Sequence, residues 1–249
     1  MTRGLLLGGT SEASQLACAL AACGQDAVFS YAGRTAAPVE QPLETRVGGF
    51  GGVDGLRAYL RKERITHVVD ATHPFAATMS RNAFAACEMS GVDLIRFERP
   101  AWVPGRGDNW QSFALIEDIP AALPDRSANV FLAIGKQQIG VIATRPEHRY
   151  LLRFVDRPTG PLPLKHSHVV VARGPFDAQQ DLDLLKEHQI THVVAKNSGG
   201  TGARAKLDAA RLLGLPVLMV SRPNLPGKQV ADDVAAVLGW LGHKADLGV

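Results

Sequence analysis

The sequence predicts an α/β protein with two parallel-sheet domains. Three observations support this fold class. Short apolar segments alternate with helical patterns along all 249 residues, as in chains of β-α-β units. The first apolar segment runs into a glycine pair at a helix start. The segment Ile65-Thr66-His67-Val68-Val69 is repeated as Ile190-Thr191-His192-Val193-Val194, and each copy follows a helical pattern, which indicates two related halves.

The composition is that of an ordinary globular protein, with 46% hydrophobic and 20% charged residues and a net charge of +3. No apolar run reaches the roughly 20 residues of a membrane span, and the first residues do not form a signal peptide. Three cysteines without C-x-x-C spacing predict reduced thiols. We therefore expect a cytoplasmic protein without a membrane partner. Since no heptad or large apolar stripe indicates a dimer, we expect a monomer.

The first domain is predicted over residues 1–100, and it begins with a candidate phosphate-binding turn. Strand Leu5–Leu7 ends in two glycines, and a helix with apolar residues at i, i+3 and i+4 follows from Ser11 to Cys23. Such a turn directs backbone N–H groups and the positive end of the helix to one place. The spacing is not G-x-G-x-x-G, so an ordinary strand-to-helix turn is an equal alternative. The candidate phosphate ligands are Gly8, Gly9, Thr10 and Ser11.

The end of the second strand, Ala27–Tyr31, bears on the choice of dinucleotide. In a dinucleotide fold this position meets the adenosine ribose, where an acid binds the 2′-hydroxyl and an arginine suits a 2′-phosphate. No acid follows this strand, whereas Arg34 supplies a guanidinium and Thr35 a hydroxyl. If a dinucleotide binds, the sequence predicts NADP rather than NAD.

Two further loops complete the predicted cofactor site. Four glycines surround Phe50, and this loop either lies against a flat ligand through Gly49 and Phe50 or is a flexible connector. Strand Thr66–Val69 ends in a polar loop before a helix that is predicted to reach Met89. Thr72 and His73 are candidates either to cap this helix, with Pro74 near its first position, or to approach a ligand.

Residues 101–128 are rich in Pro and Gly and are predicted to be a linker, either irregular throughout or with short ordered pieces. Residues 129–249 are predicted to form the second domain, with its core closed by a last helix over residues 229–241. After its strand Thr191–Val194 comes a loop with the candidate ligands Lys196, Asn197, Ser198 and Gly199. A partly desolvated lysine there can bind an anion or donate a proton, although a salt-bridged structural lysine is the alternative.

The charge is unevenly distributed. Residues 1–125 hold 11 Lys and Arg against 14 Asp and Glu, and residues 126–249 hold 16 against 10. The basic stretch from Arg145 to Arg173 is either a solvated surface or a face for an acidic partner. No nucleic-acid motif appears in it, so we expect no nucleic-acid partner. His166 and His168 lack companions with metal spacing, so no metal site is predicted. No G-x-S-x-G or P-loop motif indicates a serine hydrolase or a P-loop NTPase.

The loops together resemble those of the precorrin-6A reductases of cobalamin biosynthesis. The resemblance rests on Gly8-Gly9-Thr10-x-Glu12, Gly33-Arg34, Gly48-Gly49-Phe50, Asp70-Ala71-Thr72-His73-Pro74-Phe75 and Lys196-Asn197-Ser198-Gly199-Gly200. It implies an oxidoreductase with two Rossmann-like domains that uses NADPH to reduce one double bond of precorrin-6A, a carboxylate-rich tetrapyrrole, to precorrin-6B. Hydride transfer needs the reacting atoms in near contact and sheltered from water, which an active site in the cleft between the domains would provide.

The resemblance and the patterns together assign roles to the candidate residues. In the NADPH-binding first domain, the turn at residues 8–11 holds the pyrophosphate and Arg34 with Thr35 holds the 2′-phosphate. Gly49 and Phe50 line the adenosine side, and Thr72 and His73 approach the nicotinamide end. Residues 196–199 of the substrate-binding second domain face the macrocycle, with Lys196 as carboxylate partner or proton donor. Glu12 would repel a phosphate and is expected to point away.

Two other functions are compatible with the first domain. One is a non-catalytic NADP-binding sensor, which would not need the basic face or the loop at Lys196. The other is an NADPH reductase of a small carboxylated metabolite, which would favour a narrower site than two glycine-edged loops suggest.

Overall fold

The computed structural model describes residues 2–33, 38–227 and 229–246. Arg34 and Thr35, the predicted 2′-phosphate ligands, lie outside these described residues. The elements in chain order are β1 (Gly4–Leu7), α1 (Ser11–Ala22), β2 (Ala27–Tyr31), β3 (Glu44–Val47), α2 (Gly52–Lys62), β4 (His67–Asp70), α3 (Ala77–Ser90), β5 (Asp93–Phe97), β6 (Asn109–Phe113), α4 (Ile119–Ala122), β7 (Asn129–Ala133), α5 (Ile139–Ile142), β8 (Arg149–Phe154), β9 (Ser167–Val171), α6 (Ala178–Glu187), β10 (His192–Lys196), α7 (Ala205–Leu212), β11 (Pro216–Val220), β12 (Val230–Ala231) and α8 (Val234–Asp246).

The predicted fold class is confirmed, because the strands form two six-stranded parallel sheets with helices packed against them. The first sheet has the order β12-β5-β4-β1-β2-β3 and the second the order β6-β11-β10-β7-β8-β9. All strand pairs in both sheets are parallel. The first order read from β3 is that of doubly wound folds, which bind ligands at the carboxyl ends of their strands.

Side-chain alternation in the central strands distributes the helices over both faces of the first sheet. Leu6 and Phe29 face one core with α1 and α8. Leu5, Leu7 and Val28 face the other core with α2 and α3. Because successive strand residues point to opposite faces, a central strand covered on both sides must be apolar throughout, as β1 is. In the second sheet, α6 and α7 cover one core.

The chain divides into two compact units, Met1–Pro100 with Pro223–Val249, and Ala101–Arg222. The predicted boundaries are therefore wrong for the last segment. Helix α8 does not close the second core but packs in the first, where Val237 is fully buried. The predicted linker, residues 101–128, contains two short ordered elements, β6 and α4, and the linker assignment is wrong for β6, which is the edge strand of the second sheet.

The internal repeat occupies equivalent positions in the two sheets. The matching segments form β4 and β10, which lie between β1 and β5 and between β7 and β11. The outermost strands also match. In the second sheet β6, the first strand of the second unit, pairs with β11, and in the first sheet β12, from the segment that follows the second unit, pairs with β5. The hydrogen bonds directly after β5 and β11 also match, since Glu98 N donates to Ala231 O and Ser221 N donates to Phe113 O, both at 2.8 Å.

The predicted start of α3 is wrong. The helix begins at Ala77 with Ala76 as its N-cap residue, so neither Thr72 nor His73 caps it. A turn in which Ala76 N donates to His73 O at 2.7 Å precedes the helix instead. Of the helices within the described residues, none combines the length and the apolar character that crossing a membrane requires.

Candidate functional site

The turn after β1 requires glycine because it passes directly over an aromatic ring. Gly8 N donates to Ser30 O at 3.0 Å, which ties the turn to β2. A Cβ at Gly8 would lie 2.1 Å from Cζ of Phe29, a fully buried residue. Gly9 has a φ of +124° and is exposed. The backbone of this turn is therefore accessible at the start of α1, at the carboxyl edge of the sheet.

Thr10 uses its hydroxyl within the protein. Its Oγ1 accepts from Ala13 N at 3.1 Å as the N-cap of α1 and donates to Ala71 O at 3.0 Å, which joins the turn to the loop after β4. Since a hydroxyl carries one proton, Thr10 can offer a ligand only its backbone N–H or a lone pair. The first N–H groups of a helix have no partner inside it, so the hydrogen-bond donors that the turn presents are backbone N–H groups.

Glu12 is paired with Arg99, two residues after the end of β5. Its Oε2 lies 2.5 Å from Arg99 Nη1, and the two side chains are 22% and 15% exposed. Ser11 Oγ donates to the same oxygen at 3.1 Å. A carboxylate in the first turn is favoured by the helix dipole, and Arg99 offsets its charge beside the turn. This ion pair offsets the negative charge that Glu12 would otherwise place beside the turn.

Arg46 was not among the predicted site residues, although it organises the glycine-rich loop. Its Nη1 donates to Ser30 Oγ at 2.7 Å and to Gly48 O at 2.9 Å, and its Nη2 donates to Gly49 O at 3.3 Å. The guanidinium carbon lies 3.9 Å from the centroid of the Phe50 ring, a cation–π contact. An arginine two residues before a loop of four glycines was the available signal.

The same loop lies beside the end of β2. Gly48 N donates to Tyr31 O at 2.9 Å, and Phe50 packs edge-on against Tyr59 with 5.1 Å between the ring centroids. Gly49 and Phe50 are thus located next to the strand end where a dinucleotide fold places adenosine.

The loop after β4 is organised by a buried carboxylate. Asp70 is 4% exposed and its Oδ1 accepts from Thr72 N at 3.1 Å and from Thr72 Oγ1 at 2.7 Å. Asp70 lies beside Arg96 in the sheet register, and Arg96 also pairs with Glu98. Burial lowers the pKa of Arg96, and the charge of Asp70 opposes this shift. His73 is exposed, and its Nδ1 accepts from Phe75 N at 3.2 Å.

In the second unit, the loop after β10 is held by Trp102 and Arg222. Asn197 Oδ1 accepts from Trp102 N at 2.8 Å, and its Nδ2 donates to Trp102 O at 2.9 Å. Trp102 Nε1 donates to Gly200 O at 2.6 Å. Arg222 donates to the carbonyls of Asn197 and Ser198 at 2.9 and 3.1 Å. The amide of Asn197 therefore has a structural role, and contact with a substrate stays a prediction.

The remaining predicted ligands of this loop lie at the sheet edge. Lys196 is the last residue of β10 and half-buried, in register with Val220 of β11. Ser198 is 7% exposed. Gly199 has a φ of +68°, in the left-handed region that favours glycine.

The predicted basic stretch does not form one face. Arg153 forms a buried bidentate pair with Asp181 and stacks 3.6 Å from the Phe176 ring centroid. Arg145 donates to the carbonyls of Pro120 and Pro124, the latter at 2.7 Å. The exposed cations fall at opposite sheet edges, and they are Arg157 and Arg173 after the carboxyl ends of β8 and β9, and Arg149 and Lys165 at the amino ends.

Comparison with known proteins identifies the family. The model of the precorrin-6x reductase family CbiJ/CobK matches residues 3–242. The chain belongs to this family. The precorrin-6A reductase of Rhodobacter capsulatus is 57% identical over 241 residues, covering 97% of this chain and 96% of the relative. That of Rhodococcus erythropolis is 45% identical over 244 residues, covering 97% and 98%.

A solved structure of a family member has the same fold. The structure described as CobK precorrin-6A reductase superposes with a TM-score of 0.94 at 57% identity and covers 98% of this chain and 97% of its own. The resemblance inferred from the loops is thereby confirmed. Among the described residues, no group of three or more His, Cys, Asp or Glu side chains is arranged to hold a metal ion.

Proposed function

We propose that this protein is a precorrin-6A reductase of cobalamin biosynthesis that uses NADPH to reduce one double bond of the macrocycle to give precorrin-6B. The observation that carries the proposal is membership of the reductase family over residues 3–242. In balanced form, precorrin-6A, NADPH and one proton yield precorrin-6B and NADP⁺. NADPH, when bound, supplies the hydride, and the protein supplies binding, orientation and exclusion of water.

The donor set of the first unit fits a phosphorylated dinucleotide. The backbone N–H groups from Gly9 to Ser11 suit the pyrophosphate. Because Gly8 has no side chain, the backbone of the turn can pass close over the ring of Phe29. Arg46 adds a cation stacked on Phe50 at the adenosine side. Preference for NADPH over NADH is assigned to Arg34 and Thr35.

The exposed loop after β4 and the loop after β10 are assigned to the reacting groups. Thr72 and His73 are proposed to face the nicotinamide end. In the second unit, Lys196, with Arg157 and Arg173 at the same sheet edge, is proposed to bind the substrate carboxylates. Lys196 is also the proposed proton donor. Asn197 contributes by fixing the loop through Trp102, and Ser198 and Gly199 complete the substrate side.

The test is to mix the purified protein with precorrin-6A and NADPH and follow the absorbance of both. Consumption of both in equal amounts is expected, with slower turnover for NADH. NADPH binding without turnover would favour a sensor, and turnover of a small carboxylated metabolite alone would favour a different reductase.

Two variants separate the roles. Arg34→Ala is expected to remove most of the preference for NADPH over NADH, and an unchanged preference would refute the 2′-phosphate assignment. Lys196→Ala is expected to lower turnover, substrate affinity or both. The matched control is Lys186→Ala, because Lys186 is an exposed lysine of α6.

We also expect a cytoplasmic monomer without a nucleic-acid or membrane partner, and size-exclusion chromatography tests the oligomeric state.

A further inference from the structure

A pocket of about 580 Å³ lies at the amino end of the second sheet, where β7, β8 and β9 begin. Its charged and imidazole-bearing lining residues are Arg149, Lys165, His166, His168, Glu187 and His188. The pocket is at the opposite edge of this sheet from the loop after β10, so the proposed reaction does not account for it.

The internal repeat shows which residues occupy the same place in the first unit. Thr66 N donates to Arg3 O at 2.9 Å, and Thr191 N donates to Asn129 O at 2.9 Å. The hydroxyls of the same threonines donate to the same two carbonyls, at 3.2 and 3.1 Å. Arg3 and Asn129 are therefore equivalent positions.

The strand registers extend this equivalence outward. In the first sheet the register of β1 with β2 places Asp26 beside Arg3, and in the second sheet the register of β7 with β8 places Arg149 beside Asn129. Since Arg3 and Asn129 are equivalent, Asp26 is equivalent to Arg149. The next pairings, from β2 to β3 and from β8 to β9, make Glu44 equivalent to His168.

The helix ends that follow β3 and β9 are equivalent too. Helices α2 and α6 end with the C-cap residues Glu63 and His188. Each is followed by a residue of positive φ, at +52° and +49°. In both cases the next backbone N–H donates a hydrogen bond back to the helix, from Ile65 N to Leu60 O and from Ile190 N to Leu185 O, each at 2.9 Å. Glu63 therefore corresponds to His188.

The charges at these four positions differ systematically between the units. In the first unit, the guanidinium of Arg3 is surrounded by carboxylates, at 2.6 Å from Glu44, 3.8 Å from Asp26 and 4.0 Å from Glu63. The first unit thus neutralises its own central cation.

In the second unit, the central position is the neutral Asn129, and the three acids are replaced by basic residues. Asn129 Nδ2 donates to the carbonyls of His188 and Gln189 at 3.3 and 3.0 Å, so its amide supports the pocket wall. The rings of His168 and His188 lie 4.8 Å apart. These basic groups surround an open pocket, whereas the equivalent acidic groups of the first unit surround the guanidinium of Arg3.

We propose that this pocket binds a small-molecule oxyanion with at least two negative charges, carried by phosphate or carboxylate groups. The anion binds among Arg149, His168 and His188, just as the guanidinium of Arg3 binds among its three carboxylates in the first unit. Arg149 offers a bidentate guanidinium, and Lys165 adds a second permanent cation at the rim. Each imidazole can donate a hydrogen bond even when neutral. Glu187 opposes the anion and favours ligands compact enough to stay among the basic groups.

The test is isothermal titration of the full chain with pyrophosphate and, separately, with citrate. Binding of at least one is expected, with Arg149→Ala weakening it about tenfold or more, since a charge-assisted hydrogen bond is lost. Lys186→Ala removes one positive charge from the same unit outside the pocket, and it is expected to change affinity less than twofold. The imidazole NMR signals of His168 and His188 should shift on binding.

Each outcome decides the proposal. Pyrophosphate binding alone identifies a phosphate ligand, citrate binding alone a carboxylate, and binding of both a general oxyanion site. Binding of neither overturns the proposal, as does heat that Arg149→Ala leaves unchanged, because that ligand then binds elsewhere, such as the turn after β1. Should circular dichroism show Arg149→Ala unfolded, His168→Ala provides the same readout. No arm uses NADPH or precorrin-6A, so this result is independent of the proposed reductase activity.

Discussion

Replacing Gly8 by alanine is expected to destabilise the protein and to weaken NADPH binding. The new Cβ would lie 2.1 Å from Cζ and 2.3 Å from Cε1 of Phe29, whereas ordinary contacts begin at 3.4 Å. The turn or the ring must therefore shift by roughly 1.3 Å, in a core where Phe29 is fully buried. Overpacking of this kind costs about 1–3 kcal/mol. A shift of this size in a binding turn is expected to raise the KM for NADPH at least about tenfold.

Urea unfolding of Gly8→Ala, Phe29→Leu and the double variant measures the clash directly. Leucine removes the far ring atoms that the new Cβ would meet, so the double variant should lose less stability than the two single variants together. Gly49→Ala is the control, because its Cβ would meet no heavy atom within 4 Å and should change the unfolding free energy by less than about 0.5 kcal/mol. Additive effects, or a Gly8→Ala variant as stable as the parent, would refute the reasoning.

Arg46→Ala removes the cation stacked on Phe50 and is expected to raise the KM for NADPH about tenfold while kcat changes little, as steady-state kinetics would show; a lower kcat at unchanged KM would contradict it. Asn197→Ala breaks both hydrogen bonds to the Trp102 backbone and should cost about 1–3 kcal/mol in urea unfolding; an unchanged midpoint would argue against this role. His148 is fully buried, and burial lowers the pKa of its imidazole in the folded protein. In the unfolded chain the imidazole has a pKa of about 6.5, so below that pH the unfolded state binds more protons than the folded state. Unfolding free energy should therefore fall as the pH drops from about 7 to about 5, and His148→Gln should flatten this dependence; a slope unaffected by the substitution would assign it to other groups.

The candidate site was predictable where its signal is local. Gly8 and Gly9 follow an apolar strand directly. A Cβ at Gly8 would collide with Phe29, and Gly9 has a φ of +124°, which side chains disfavour. Arg46 was missed because one of its partners, Ser30, is 16 positions away in the sequence and is brought beside it only by the pairing of β2 with β3. The pairing of Glu12 with Arg99 joins residues 87 positions apart and was equally inaccessible.

By itself, the sequence determined the alternation of strands and helices, the two related halves and the family, because each depends on periodicity or on contiguous motifs. Only the tertiary structure decided which sheet receives β6 and β12. Both are edge strands, and β12 has two residues, Val230 and Ala231, so neither carries enough pattern to specify a partner. β6 and β12 each pair with a sheet edge that would otherwise be open, at β11 and at β5. Which edge is open to each strand is a property of the folded units and not of the local sequence.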